Sequence, residues 1–246
     1  MRTGTARNIA WSGAEAIISA GFSVVSVFVV ARLIGPAEVG IGAAAVAAHV
    51  LLWVGVNALF ADAIVQQSAE VDDQTCASAF WASVLVGVCA AIGQALAGWP
   101  LAWALGDSRL VPMSLVLAIP LPLVGAAGVI QGRVTRERHY KLLAGRALIG
   151  QGLGTTIGIA SALGGAGAWA LASQQAVTSA CGALTLLVGA GWWPAPVLRW
   201  RPVRHLLRTG GPLTASTLVL HGRYRMFAVM IGGTAGAASL GQVHLA

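Results

Sequence analysis

Long apolar runs, parted by short polar gaps, set the pattern of this chain. A helix that crosses a bilayer needs about 20 mainly apolar residues. Seven runs read as such spans: 9–33, 39–65, 76–96, 110–130, 147–163, 166–189 and 206–231. Leu33-Ile34-Gly35-Pro36 ends the first, because proline cannot continue a helix and glycine frees the backbone. Gly98-Trp99-Pro100 is expected to turn the chain after the third. Pro112, Pro120 and Pro122 predict a kink in the fourth, where they free backbone carbonyls. Only Gly164-Gly165 parts the fifth from the sixth, which predicts a tight antiparallel pair. Gly150, Gly154 and Gly158 recur every four residues on one face of the fifth, a small-residue stripe that permits close helix packing. The fold class is an all-α integral membrane protein.

The gaps are polar in different ways. Gln66–Thr75 carries Glu70, Asp72 and Asp73. Arg133–Arg146 is basic, with Leu142 and Leu143 among its charges, and is expected to lie along the membrane surface. Trp192–Arg208 is a second basic connector, with Pro194, Pro196 and Pro202.

Composition agrees with lipid as the solvent. Of the 246 residues 57% are hydrophobic and 9% charged, where a soluble domain has about 25% charged. Mean hydropathy is +0.78. The net charge of +7 would suggest nucleic acid in a soluble protein. Here the basic residues sit in the gaps between spans, as topology determinants do, and no nucleic-acid partner is expected. Cys76, Cys89 and Cys181 have no metal-ligand or CxxC spacing and read as small buried thiols. Arg2 and Arg7 precede an apolar run too long for a secretory signal, so the first span is retained.

Charge also orients the chain. With the N-terminus cytoplasmic, the inner side holds Arg2, Arg7, Arg133, Arg136, Arg138, Lys141, Arg146, Arg199, Arg201, Arg204 and Arg208, and the outer side Arg32 and Arg109. Eleven against two is a strong positive-inside bias. Trp99, Trp103 and Trp169 then fall near the outer interface, and Trp11, Trp192, Trp193 and Trp200 near the inner one.

The last long run carries charge. His221, Arg223 and Arg225 sit inside 206–231, and an arginine at bilayer depth costs about 2.5–3.5 kcal/mol unless it faces a partner or a water-filled path. This run also repeats the opening of the chain. At an offset of 201 residues Arg7 falls on Arg208, Gly35 on Gly236 and Gly40 on Gly241. Six intervening spans restore the original orientation, so the halves read as parallel repeats about an axis along the membrane normal. Residues 1–204 then form a six-helix lobe, and 205–246 the first helix of a second lobe and the start of the next. The expectation is an incomplete second lobe, or one completed by a second chain.

Five segments in order resemble the polysaccharide biosynthesis flippases of the multidrug/oligosaccharidyl-lipid/polysaccharide exporter superfamily. Ala31-Arg32-Leu33-Ile34-Gly35-Pro36-Ala37-Glu38-Val39-Gly40 resembles the turn after their first helix. Ala63-Ile64-Val65-Gln66-Gln67, then Ser78-Ala79-Phe80-Trp81, resembles the link between their second and third. Gln131, Arg136-Glu137-Arg138 and Tyr140-Lys141 resemble their fourth connector. Gly165-Ala166-Gly167-Ala168-Trp169-Ala170-Leu171 with Gln174-Gln175 resembles the start of their sixth helix. Arg199-Trp200-Arg201-Pro202 and Arg208-Thr209-Gly210-Gly211-Pro212-Leu213 resemble the approach to the seventh.

The resemblance implies transport of polyprenyl-pyrophosphate-linked oligosaccharide across the bacterial cytoplasmic membrane, by alternating access between two lobes. It implies no enzymatic step and no cofactor. Where family members often carry an aspartate in the seventh helix, this chain has Phe227. Arginine suits a pyrophosphate because its planar fork donates two hydrogen bonds at once. Arg223 and Arg225 point about 200° apart on a helix, whereas His221 and Arg225, at i and i+4, share a face. Arg225 with His221 is therefore the leading cavity pair, followed by Arg223, Glu15 and Asn57. The bland alternative for the arginines is helix packing or snorkelling. No catalytic grouping, P-loop or metal-ligand cluster is visible. Two other functions stay open: a multidrug/cation antiporter of the same superfamily, and a non-transporting membrane fragment or assembly subunit.

Overall fold

In a computed structural model the described residues are 13, 19–22, 26, 28–67 and 71–235, with 221–235 described through their backbone alone. All regular structure among them is helical. The helices are α1 (28–34), α2 (Pro36–Gln66), α3 (Asp73–Leu105), α4 (Leu110–Ala118), α5 (Leu121–Arg136), α6 (Tyr140–Leu163), α7 (Trp169–Gly189) and α8 (Trp200–Ala235).

Four stretches among the described residues are long and apolar enough to cross a bilayer: α2, α3, the α4–α5 pair and α7. They correspond to four of the seven expected spans. Along α3, Leu85, Val88, Ile92, Leu96, Trp99 and Trp103 form an exposed apolar stripe at three- to four-residue spacing, the face such a helix turns to lipid. The molecule is an all-α membrane protein.

Backbone chemistry accounts for most of the joints. Gly35, at φ 81, separates α1 from α2, and Pro36 occupies the first turn of α2, where a missing N–H costs nothing. The fourth expected span is interrupted at its prolines, as the expected kink requires, while Ile119 and Pro120 keep right-handed helical geometry. Pro120 and Pro122 remove two donors on either side of Leu121, α4 ends at Ala118, and α5 restarts at Leu121.

Two expectations are corrected. Gly98-Trp99-Pro100 does not turn the chain, because α3 runs through Pro100 to Leu105. A spanning helix tolerates proline where neighbours re-satisfy the freed group. Gly98 serves packing instead: a Cβ there would lie 2.9 Å from the backbone of Val111 and 3.0 Å from Ser114. The turn comes later, at Gly106 with φ 68, a left-handed helix cap. Arg133–Arg146 is likewise no separate connector. It is the end of α5, a three-residue turn with Arg138 at φ 60, and the start of α6. Helix propensity and the i→i−4 ladder simply carry both spans into their charged ends.

Close helix packing rests on small residues. The α6–α7 pair is the most extensive in the fold, as the short connection predicts. Gly150, Gly154 and Gly158 face Thr178 and Gln174 on α7, with room for hydrogen alone. A second stripe, on α5, does the same toward two helices. Gly125 lies against the Ser83 carbonyl, Gly128 against that of Asn57 and Gly132 against that of Ala61. Apolar cores fill the two ends. One holds Phe60, Ile64, Ile130, Leu186 and Leu206, and the other Ile41, Leu110, Met113 and Leu117. The N-terminal part of α8 packs on α2 and α3, and residues 204 and 205, the expected boundary between lobes, fall inside this one helix.

The charged gaps gather at opposite ends, in the partition the basic residues predict. At one end Arg109 bonds Glu38 and Asp107, and Glu38 also accepts from the Ala168 N–H. At the other, Arg133 pairs with Asp73 at 2.9 Å and lies 4.4 Å over the Trp192 ring. There too Trp81 Nε1 donates to the Ala195 carbonyl at 3.0 Å, and the Arg199 N–H donates to Ser78 Oγ at 3.1 Å. Of the cysteines, Cys76 is buried as expected, whereas Cys89 is exposed on α3.

Candidate functional site

A polar cavity of about 410 Å³ opens among α2, α5, α6 and α7, with Ser19 of the first span at its edge. Its volume lies within the range of small-molecule sites. Each wall exists for a local reason. On α2, Val50, Trp53 and Asn57 recur at three- and four-residue spacing and so share a face. On α5, Val124, Ala127 and Gln131 do the same. The glycines of α6 draw it onto α7, which sets Arg146 and Gln151 opposite Gln175, Thr178 and Ser179.

Arg146 is the charged residue of this lining; the rest are amides, hydroxyls, small residues and one indole. Its guanidinium donates to Gln131 Oε1 and lies 5.8 Å from the centroid of the Trp53 ring. The stem passes over Gly182, where a larger side chain would compete for its space. Arg146 stands six residues into α6, about 9 Å along the axis from the helix start. Gln175 stands 14 residues from the far end of α7, about 21 Å along. The cavity therefore runs from the basic end to mid-depth.

Behind it sits a buried relay. His49 Nε2 meets Ser179 Oγ at 3.1 Å, and Gln175 Nε2 donates to the same oxygen at 3.3 Å. His49 is fully buried, and its Nδ1 has no hydrogen-bond partner among the described residues. Ser26 of the first span donates to Gln174 Oε1 at 2.8 Å, which ties that span to α7.

Of the residues nominated from sequence, Asn57 lines the cavity. Glu15 lies outside the described residues. His221, Arg223 and Arg225 lie on α8, and their side chains are likewise outside the description. The described part of α8 meets α2 at Gly55 and Leu59, through Leu218 and Gly210. Gly55 is two residues from both Trp53 and Asn57, and Leu59 two from Asn57, about 200° around the helix. This part of α8 and the cavity thus occupy opposite faces of α2. Arg146, Gln131, Gln151 and Gln175 were missed as a site. Their signal was polarity inside or at the edge of apolar runs, and Arg146 was read for its charge alone. Among the described residues no group of three or more His, Cys, Asp and Glu converges as a metal site.

At the opposite end the Asp107 carboxyl is held below the usual carboxylate range, first by its hydrogen bonds from the Arg109 guanidinium. Arg109 in turn is held more firmly protonated, by Asp107 and then Glu38.

The polysaccharide biosynthesis protein family model matches residues 29–246, and the chain belongs to that family. It is also similar to the succinoglycan biosynthesis transport protein ExoT of Rhizobium meliloti (strain 1021), at 28% identity over 174 residues. That match covers 70% of this chain and 35% of the relative, so the chain spans about a third of the length of the curated relative it matches. No solved structure matches.

Proposed function

We propose that this member of the polysaccharide biosynthesis family serves transport of polyprenyl-pyrophosphate-linked oligosaccharide across the bacterial cytoplasmic membrane, for surface polysaccharide. The observation that carries the reading is Arg146, a permanent cation beside four amides in a polar cavity that opens from the basic end. Such a cation suits the anionic pyrophosphate of a lipid-linked saccharide, which its planar fork can hold by two hydrogen bonds. The printed role of the similar relative, a transport protein of succinoglycan biosynthesis, points the same way. The basic end is taken as cytoplasmic, which puts the N-terminus inside. The first lobe, residues 1–204, then works against a second lobe that begins at 205, completed within the whole protein or by a second chain. Rocking between lobes alternates access. Arg225 with His221, and Arg223 and Glu15, remain the candidates at the lobe interface for the pyrophosphate.

A multidrug/cation antiporter would favour carboxylates in the cavity, and the described lining contains none. The test is rescue of a strain that lacks its own lipid-linked oligosaccharide flippase. Expression is expected to restore surface polysaccharide, and Arg146→Ala and Arg225→Ala each to abolish it at unchanged membrane abundance. Drug resistance without a glycan effect would instead select the antiporter. A stably inserted protein with neither effect would select a non-transporting or assembly role.

A further inference from the structure

The connector from α7 to α8 and the first turns of α8 expose cations and tryptophans side by side at the basic end. Arg201, Arg204 and Arg208 fall within an arc of about 60° on α8 and span about 10 Å of its axis. All three are exposed. Val203, Leu206 and Gly210 take the opposite face and are buried, so packing fixes the rotation that turns the arginines outward. Among the described residues none of the three has a carboxylate partner. Asp72 stands on the flank of this face, in a pocket it lines with His205, and leaves the positive charge in excess. Trp193, Leu198 and Trp200 flank the arginines, each more than half exposed.

The connector is held at a defined depth. The Arg199 N–H donates to Ser78 Oγ and Trp81 Nε1 to the Ala195 carbonyl, while the Trp192 ring meets Phe80 edge-on and carries the Arg133 guanidinium. Ser78 and Trp81 stand about 8 and 12 Å from the start of α3. That helix has 33 residues. Its length of about 50 Å exceeds a hydrocarbon core of about 30 Å, so about 10 Å at each end stands in the headgroup layer. The connector therefore lies beside that layer rather than beyond it. There tryptophan finds its preferred interface, and guanidinium groups find phosphate. A soluble acidic protein would use the arginines and leave the indoles idle. We propose that the arginine face of α8, with Trp193 and Trp200 beside it, binds anionic phospholipid headgroups of the leaflet at the basic end. The proposal does not depend on the transported substrate. It concerns the hold of the bilayer on the helix that opens the second lobe.

The test is calorimetric titration of the purified full chain, in a neutral detergent, with short-chain phosphatidylglycerol and with short-chain phosphatidylcholine. Phosphatidylglycerol is expected to bind about a hundredfold more tightly, at about fivefold for each of three basic residues near the anionic headgroup. The preference is expected to shrink as salt rises. Arg201→Gln, Arg204→Gln and Arg208→Gln together are expected to erase it. The same three positions changed to Lys are expected to keep most of it, which separates lost charge from a misfolded chain. Arg138→Gln with Lys141→Gln, two other exposed cations of this end, is expected to keep it as well. Trp200→Ala is expected to weaken both lipids alike. Equal binding of the two lipids by the unmodified chain overturns the proposal. So does a preference that survives the three Gln changes, or one that is lost with Arg138 and Lys141. A poly-glutamate peptide that binds through the three arginines more tightly than phosphatidylglycerol overturns it in favour of an acidic protein partner.

Discussion

Glu38 and Arg109, 71 positions apart in the chain, form a two-point ion pair, with Arg109 Nη2 on Oε1 at 2.9 Å and Nη1 on Oε2 at 3.0 Å. Glu38 stands in the first turn of α2, Arg109 just before α4, and the Ala168 N–H that also bonds Glu38 just before α7. One carboxylate thus joins three connections at a single end of the bundle.

Breaking this clasp is expected to loosen that end modestly. Both side chains are partly solvated, at 41% and 28% exposure, and water weakens such pairs to about 0.2–1 kcal/mol. A double-mutant cycle with Glu38→Gln and Arg109→Gln, read by thermal unfolding in detergent, is expected to give a coupling in that range. Strict additivity of the two changes would remove the clasp from the account.

The same cluster sets a pH dependence. The folded Asp107 carboxyl is depressed from its ordinary value of 3.8 by Arg109. A depressed acid stabilises the fold above its unfolded value, and that contribution fades as pH falls toward the folded value. Thermal midpoints of the native chain and of Asp107→Asn are therefore expected to differ by a constant amount from pH 5 upward, about a unit above that ordinary value, and to converge below it. A gap that widens in acid would contradict the assignment.

Glycines on packed and open faces are expected to respond in opposite directions. At Gly154 a side chain would run into Thr178, and Gly154→Val is expected to cost about 1–3 kcal/mol or more through overpacking. Among the described residues, no atom beyond its own helix backbone and chain neighbours lies within 4 Å of the place a Cβ would take at Gly93 on α3. Gly93→Ala is expected to gain about 0.5–1 kcal/mol by helix propensity. Unfolding midpoints of the two variants check the contrast, and a loss at both would show that Gly93 also packs.

His49 is expected to matter for the cavity wall through Ser179. Removing its ring leaves a buried void and takes one partner from Ser179, which keeps the bond from Gln175. His49→Ala is expected to destabilise by about 2 kcal/mol or more, from the cavity and the lost hydrogen bond together. His49→Gln is expected to recover part of this. Equal losses in both variants would mean that packing alone is at stake.

Reading the sequence succeeded where a single residue's own covalent chemistry decides. Pro120 and Pro122 lack N–H groups whatever surrounds them, so the kink in the fourth span was legible. Gly150, Gly154 and Gly158 lie on one face by helix geometry alone. Pro100 misled for the complementary reason. Whether a freed carbonyl ends a helix depends on neighbours, and here α4 approaches through Gly98 while α3 continues. The α5 stripe of Gly125, Gly128 and Gly132 was visible in principle, but its value came only from Ser83, Asn57 and Ala61 on two partner helices. Arg146 was legible as a charge and illegible as a site, because its company comes from four helices spread between residues 50 and 183.

By itself the sequence determined the solvent, the helical class, the break at Gly35, the kink at Pro120 and the partition of charge between two ends. These follow from local hydropathy, missing donors and the cost of charge in lipid, none of which needs a neighbour. Only the tertiary structure decided which polar residues meet. It joined Glu38 to Arg109, put Asn57 and Trp53 with Arg146, and seated the described part of α8 on the opposite face of α2. Such meetings depend on helix rotation and packing, and those are set by contacts between residues far apart in the chain.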